Sequence, residues 1–276
     1  MIISHSRNFI YVHIHKCAGE SIERALWPYL GLRDILIGAR PMNLSRLLNP
    51  LHERRTGLVK HSKAADIRAV LGHEAYDAAF RFATVRHPVK RIYSLYTYAI
   101  GLFRNSPDSR AIVSHPDVID HEWPVIVDDV AAVLRRQDCF APKRGFYSDH
   151  PAAPDVFLRH PLRYTPVQLA LLCPDFQSFV TDPRFPMIKG TGHMRDFLCD
   201  PDGGELLVDR VVKLETLSEE WPEIAEQIQG PESLPRSNGS ADGSLPPLTD
   251  MAASVLEDHY RTDIDFFGYE KNAVAV

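Results

Sequence analysis

Phe9-Ile10-Tyr11-Val12-His13-Ile14-His15-Lys16-Cys17-Ala18-Gly19-Glu20-Ser21-Ile22 decides the reading of this chain. Its first six residues are mostly apolar and β-favouring, as a buried strand requires. After the turn, Ile22, Ala25, Leu26 and Tyr29 recur at helical spacing, and Pro28 ends or kinks that helix. The first N–H groups of a helix have no partner inside it, so the turn attracts anions. Lys16 adds a charge there, Gly19 lets a ligand approach the backbone, and Ser21 adds a hydroxyl.

A second segment, Phe82-Ala83-Thr84-Val85-Arg86-His87-Pro88-Val89-Lys90-Arg91-Ile92-Tyr93-Ser94, repeats the arrangement. Residues 80–85 read as a strand, and Pro88 suits the first position of a helix. Val89, Ile92, Tyr96 and Ala99 mark its apolar face, while Arg91 and Ser94 share another. Arg86 precedes the helix and reaches the same space. A guanidinium grips an oxyanion with two parallel hydrogen bonds. Each turn alone is equally an ordinary strand-to-helix turn with solvated cations. Together they imply a ligand with phosphate-like groups at both ends. The nucleotide motif G-x-x-x-x-G-K-[ST] is absent, since the lysine precedes the glycine. No Ser or Thr follows a lysine to hold magnesium, which disfavours a metal-dependent NTPase.

Strands at 9–14, 57–61, 80–85 and 208–214 alternate with helices near 19–30, 63–71, 88–100 and 216–228. That alternation predicts an α/β fold with a central parallel sheet and helices on both faces. Ligands of such sheets gather at the carboxyl ends of the strands. Lys16, His61 and Arg86 fall there, each after its own predicted strand. The 276 residues are 45% hydrophobic, enough for one large domain spanning 1–276. A net charge of −5 argues against broad nucleic-acid binding. Cys17, Cys139, Cys173 and Cys199 lie far apart without a C-x-x-C pair, so buried free thiols are expected and no metal site.

At this point the residues resemble a known family. Residues 12–22 resemble the 5′-phosphosulfate loop of carbohydrate-type sulfotransferases, usually H-I-P-K-T-G-G-T-S. Residues 85–94 resemble their 3′-phosphate motif, usually R-[ND]-P-x-x-R-x-x-S. Further segments are similar in order: 60–68 to the second-strand segment with its histidine, and 211–217 to a late strand ending in Glu and Leu. Leu234-Pro235-Arg236-Ser237-Asn238-Gly239-Ser240 is similar to an L-P-x-x-N-x-S loop, and 260–269 to the closing Y-x-x-D-x-x-x-F-G-Y. His15 stands where Pro is usual, Cys17 and Glu20 where Thr is, and Ala18 where Gly is. A carboxylate near a bound sulfate is repulsive, so Glu20 is read as pointing outward, favourable for the helix N-terminus.

The resemblance implies a P-loop-like three-layer sandwich and a transferase using 3′-phosphoadenosine 5′-phosphosulfate, with the 3′,5′-bisphosphate as product and no metal. It implies a hydroxyl of a carbohydrate or glycolipid as acceptor. Lys16, Cys17, Ala18, Gly19, Glu20, Ser21 and Ile22 would surround the phosphosulfate. Arg86 and Ser94 would hold the 3′-phosphate, and Arg236 and Ser237 in the 231–247 loop would close over the nucleotide. Lys16 and His61 are the catalytic candidates, His61 as general base, because histidine titrates near neutral pH. His15 and Glu215 are alternatives for that role, and His13, inside the strand, is structural. Residues 103–165 read as acceptor-side loops and a lid. With no signal peptide and no membrane-spanning run, a bacterial cytoplasmic enzyme is expected. A small-metabolite kinase and a non-catalytic nucleotide-binding relative remain the alternatives.

Overall fold

The structure, a computed structural model, describes residues 1–39, 42–105, 164–202, 204–234 and 245–270. The chain divides into two compact units. The first is Met1–Arg91 with His193–Asp242 and Thr262–Tyr269; the second is Ile92–Gly192 with Gly243–Arg261 and Glu270–Val276.

The first unit is a mixed α/β body around a central sheet. Its strands are β1 (Ile2–Ser4), β2 (Phe9–Val12), β3 (Ile35–Leu36), β4 (Phe80–Val85) and β5 (Arg210–Lys213), in the order β3-β1-β2-β4-β5. β2, β4 and β5 run parallel, with Tyr11 beside Phe82 and Thr84 beside Val212. β1 is antiparallel to both β2 and β3. The sheet is therefore mixed, where the sequence predicts a wholly parallel one.

The strand predicted over 57–61 does not form. Gly57 has φ +74°, and the Ser62 N–H donates to the Val59 carbonyl at 3.0 Å while the Val59 N–H donates to Ser62 Oγ at 2.8 Å. That is turn chemistry, and of the five residues Leu58 alone is buried. His61 accordingly stands in a turn and not at a strand end.

The helices of this unit are α1 (Gly19–Leu26), α2 (Met42–Thr56), α3 (Ala64–Leu71), α4 (His73–Asp77) and the start of α5 (Pro88–Asn105). Pro28 converts the chain after α1 into a single 3-10 turn, as expected. Strand alternation sorts the core into two clusters. Ile3, Ile10, Val12, Ala83 and Val85 pack with Ala64 and Ile67 of α3. Ile2, Phe9, Tyr11, Phe82 and Val212 pack with Ile22 and Leu26 of α1.

The second unit contains the rest of α5, then α6 (Thr165–Leu172) and α7 (Phe176–Thr181). Later in the chain the first unit adds α8 (Arg195–Leu198) and α9 (Leu217–Gln227), whose Leu217, Trp221 and Ile224 join the α1 cluster. Helix α10 (Asp250–Phe267) starts in the second unit and has non-helical backbone at Tyr260. Aromatic rings fill the second unit, with Tyr96 on Phe179, Phe179 on Phe185 and Phe185 on Tyr260. The Tyr260 hydroxyl donates to the Thr191 carbonyl at 2.6 Å. Cys17, Cys173 and Cys199 are buried free thiols. Cys139, most of the 103–165 segment, and Arg236 and Ser237 lie outside the described residues.

Candidate active site

The turn between β2 and α1 is built to face an anion. Lys16 and Ala18 both have φ of 63°, and Cys17 between them does not share that sign. Such alternation curls the backbone so that successive N–H groups converge on one point. The Ser21 and Ile22 N–H groups close the first turn of α1 on the Ala18 carbonyl, at 3.0 and 3.2 Å. The N–H groups of Cys17, Ala18, Gly19 and Glu20 donate no hydrogen bond among the described residues. They are the open donors of the turn. Gly19 is required by space, because a Cβ there would fall 2.1 Å from the His13 imidazole.

The turn is anchored from below. Thr84 of β4 donates its hydroxyl to the Cys17 carbonyl at 2.5 Å, and the Tyr11 hydroxyl of β2 donates to Thr84 at 2.9 Å. Both parallel strands therefore hold one loop. Burial pushes the Cys17 thiol up to about 12, so it is a packing residue and not a nucleophile.

Charge converges on the same space. Burial pulls Lys16 down to about 8, opposed by Glu20 and assisted by the nearby charges of Arg86 and Lys60. Burial likewise lowers Arg86, with Cys17, Glu215 and Tyr269 close enough to oppose it. The Arg86 guanidinium makes no hydrogen bond and no ion pair among the described residues. Glu20 pairs with Lys60 at 2.8 Å. Burial acts against its ionisation, and the Lys60 charge and hydrogen bond outweigh that, leaving Glu20 below the ordinary carboxylate value. Glu215 accepts the His87 N–H at 3.0 Å and the Tyr269 hydroxyl at 3.4 Å, so it shapes the second turn.

Three histidines line the floor. His61 Nδ1 lies 2.9 Å from the His13 carbonyl, which can only accept, so Nδ1 carries the proton and Nε2 keeps its lone pair. The His15 ring stacks on His61 with centroids 3.5 Å apart, and His13 meets it edge-on at 4.5 Å. Burial, then the His13 and His15 charges, hold His61 far below its ordinary value. Beneath them Glu23, 0% exposed, accepts from His13 Nδ1 at 2.6 Å, the Met1 amino group at 2.7 Å and the Ala39 N–H at 2.7 Å.

The structure thus brings Lys16, residues 17–22, His15, His61 and Arg86 together in the first unit. Ser94 belongs to the second unit, on the continuation of α5. Arg91 is 1% exposed and buried, close enough to the Cys17 thiol to favour its thiolate. Sequence reasoning missed Lys60, Thr84 and Glu23 as parts of the site. Only Glu23 left a signal: with Gly19, Ile22 and Leu26 it occupies the core-facing positions of α1, where a carboxylate needs a buried partner.

Among the described residues no group of three or more His, Cys, Asp or Glu is placed to hold a metal ion, and no helix is long and apolar enough to cross a membrane. Residues 1–110 match a family model described as "Sulfotransferase family". The matched span contains both turns and His61. It supports a sulfotransferase family 2-like assignment and sulfotransfer as the activity in general. Searches of curated proteins and of solved structures found no match.

Proposed function

Proceeding from a sulfotransferase family 2-like chain, we propose that it moves a sulfuryl group from 3′-phosphoadenosine 5′-phosphosulfate to a hydroxyl of a carbohydrate or glycolipid. The fold implied is the P-loop-like three-layer sandwich, as one sulfotransferase domain working in the cytoplasm. The observation that carries the reading is the meeting of Lys16, Arg86 and the open N–H groups of Cys17, Ala18, Gly19 and Glu20 at the ends of β2 and β4. These groups fit the chemistry of an anion with negative charge at two ends.

In this reading the acceptor oxygen attacks sulfur in line with the departing phosphate oxygen. Positioning and charge stabilisation supply most of the rate, as in phosphoryl transfer. Lys16 and the open N–H groups neutralise the sulfonate oxygens and the leaving phosphate. Arg86 binds the 3′-phosphate; Ser94, Arg236 and Ser237 are assigned to the nucleotide by the motifs alone. His61 Nε2, fixed as the acceptor nitrogen, takes the hydroxyl proton. Its low basicity keeps it unprotonated, and the bound dianion beside it raises its proton affinity when the reaction needs it. Glu20, the least expected residue of this loop, is paired with Lys60 at 2.8 Å, which offsets its charge.

Isothermal titration with adenosine 3′,5′-bisphosphate tests the assignment. Lys16→Ala and Arg86→Ala are expected to weaken binding by about 10- to 100-fold, the loss of a charge-assisted contact. Unchanged affinity in both variants would falsify it. His61→Ala is expected to bind the bisphosphate normally and lose about 100- to 10,000-fold in turnover; full turnover on the acceptor would remove His61 from the base role.

A further inference from the structure

We infer that Glu20 is a resident counter-ion of the donor pocket, and that an incoming 5′ anion displaces it and recruits Lys60 as a third cation. This deepens the sulfotransferase reading and rests on it. Glu20 is the second residue of α1, an acidic residue in the first turn of the helix that follows the open N–H groups, and its negative charge competes with any anion for that helix N-terminus. It pairs with Lys60 across 2.8 Å, in the first unit. The two side chains are 39% and 30% exposed, and ion pairs in that setting are weak and rearrange readily. Lys16 senses Glu20, Arg86 and Lys60 together, which places three cations and one carboxylate in a single field.

The lysine is anchored at its backbone. Its carbonyl accepts the Met1 amino group at 3.1 Å, and the next residue, His61, is tied to the His13 carbonyl. Only its flexible side chain needs to turn from Glu20 to a bound sulfonate or phosphate. A dianion brings more charge than Glu20 and accepts hydrogen bonds that a single carboxylate leaves unmade, so the exchange runs toward the ligand. Glu20 then acts as an internal competitor that sets donor affinity and holds Lys60 near the sulfur position before the donor arrives.

Titration of the full chain at low ionic strength with two probes, adenosine 3′,5′-bisphosphate and adenosine 3′-monophosphate, tests this. Glu20→Gln is expected to bind the bisphosphate about 10-fold tighter, and Lys60→Gln about 10-fold weaker. Neither change should alter affinity for the monophosphate, which lacks the 5′ group. If the wild-type chain binds the bisphosphate and Glu20→Gln binds it equally or more weakly, the counter-ion role is overturned and the sulfotransferase reading stands. Equal shifts for both probes overturn it as well, since they mark a general change in the pocket. If the wild-type chain binds neither probe, the sulfotransferase reading falls first and takes this inference with it.

Discussion

Lys16 is the residue on which the site's charge depends, and its environment works against that charge. Burial brings it down to about 8, with Arg86 and Lys60 adding to the effect. The sign follows directly. A lysine with a lowered value is charged below about 8 and neutral above it, so anion affinity falls as pH rises through that range. Titration of the bisphosphate between about pH 7 and 9 is expected to show roughly 10-fold weakening by one unit above the midpoint. Lys16→Arg keeps its charge throughout and should flatten the profile. A profile of equal steepness in both proteins would place the titrating group elsewhere. Lys16, Arg86 and Ser21 are groups whose chemistry is local, and their spacing to Gly19 and Pro88 was visible in the sequence. The Glu20–Lys60 pair spans 40 residues and was not.

At the scale of the element, the turn before α1 holds two neighbouring residues with opposite needs. Ala18 has φ of 63°, a conformation that costs an L-residue about 1–2 kcal/mol and a glycine almost nothing. Gly19 faces the His13 imidazole, where a methyl group would sit 2.1 Å from the ring. Ala18→Gly is therefore expected to stabilise the fold by about 1 kcal/mol, and Gly19→Ala to destabilise it by about 2 kcal/mol or more. Urea unfolding of the two variants checks both signs. Equal stabilities would mean that the turn does not hold the geometry described. The helix start itself was legible, because the 3.6-residue period of Ile22, Ala25 and Leu26 is a local pattern. The segment 57–61 reads as a strand because Leu58 and Val59 favour one, whereas Gly57 and the Ser62 hydroxyl make it a turn.

The buried ionic centre ties several segments of the first unit together and gives the whole molecule an acid sensitivity. His13 and His61 lie below their ordinary value of 6.5, chiefly through burial. The unfolded chain therefore takes up protons on them below about pH 6.5 while the native chain does not, and stability falls with acid. Burial acts against ionisation of Glu23, yet the Met1 amino charge and the hydrogen bond from His13 hold it below its ordinary value. Its contribution is present above about pH 4.5 and is lost as pH drops further, in the same direction. Melting temperature is expected to fall steadily from pH 7.5 to 5, and His61→Asn should make that fall shallower; a flat wild-type profile would exclude the histidines as its source. The sequence by itself determined the two strand-turn-helix units, the cations at their turns and the late strand β5, because each rests on local periodicity and on residue chemistry. Only tertiary structure decided that β1 and β3 complete the sheet, that His61 is fixed by the His13 carbonyl, and that Glu20 and Lys60 share a charge. Apart from the β1–β2 pairing, which is a local hairpin, those outcomes depend on which distant segments meet in a medium that penalises unpaired charge.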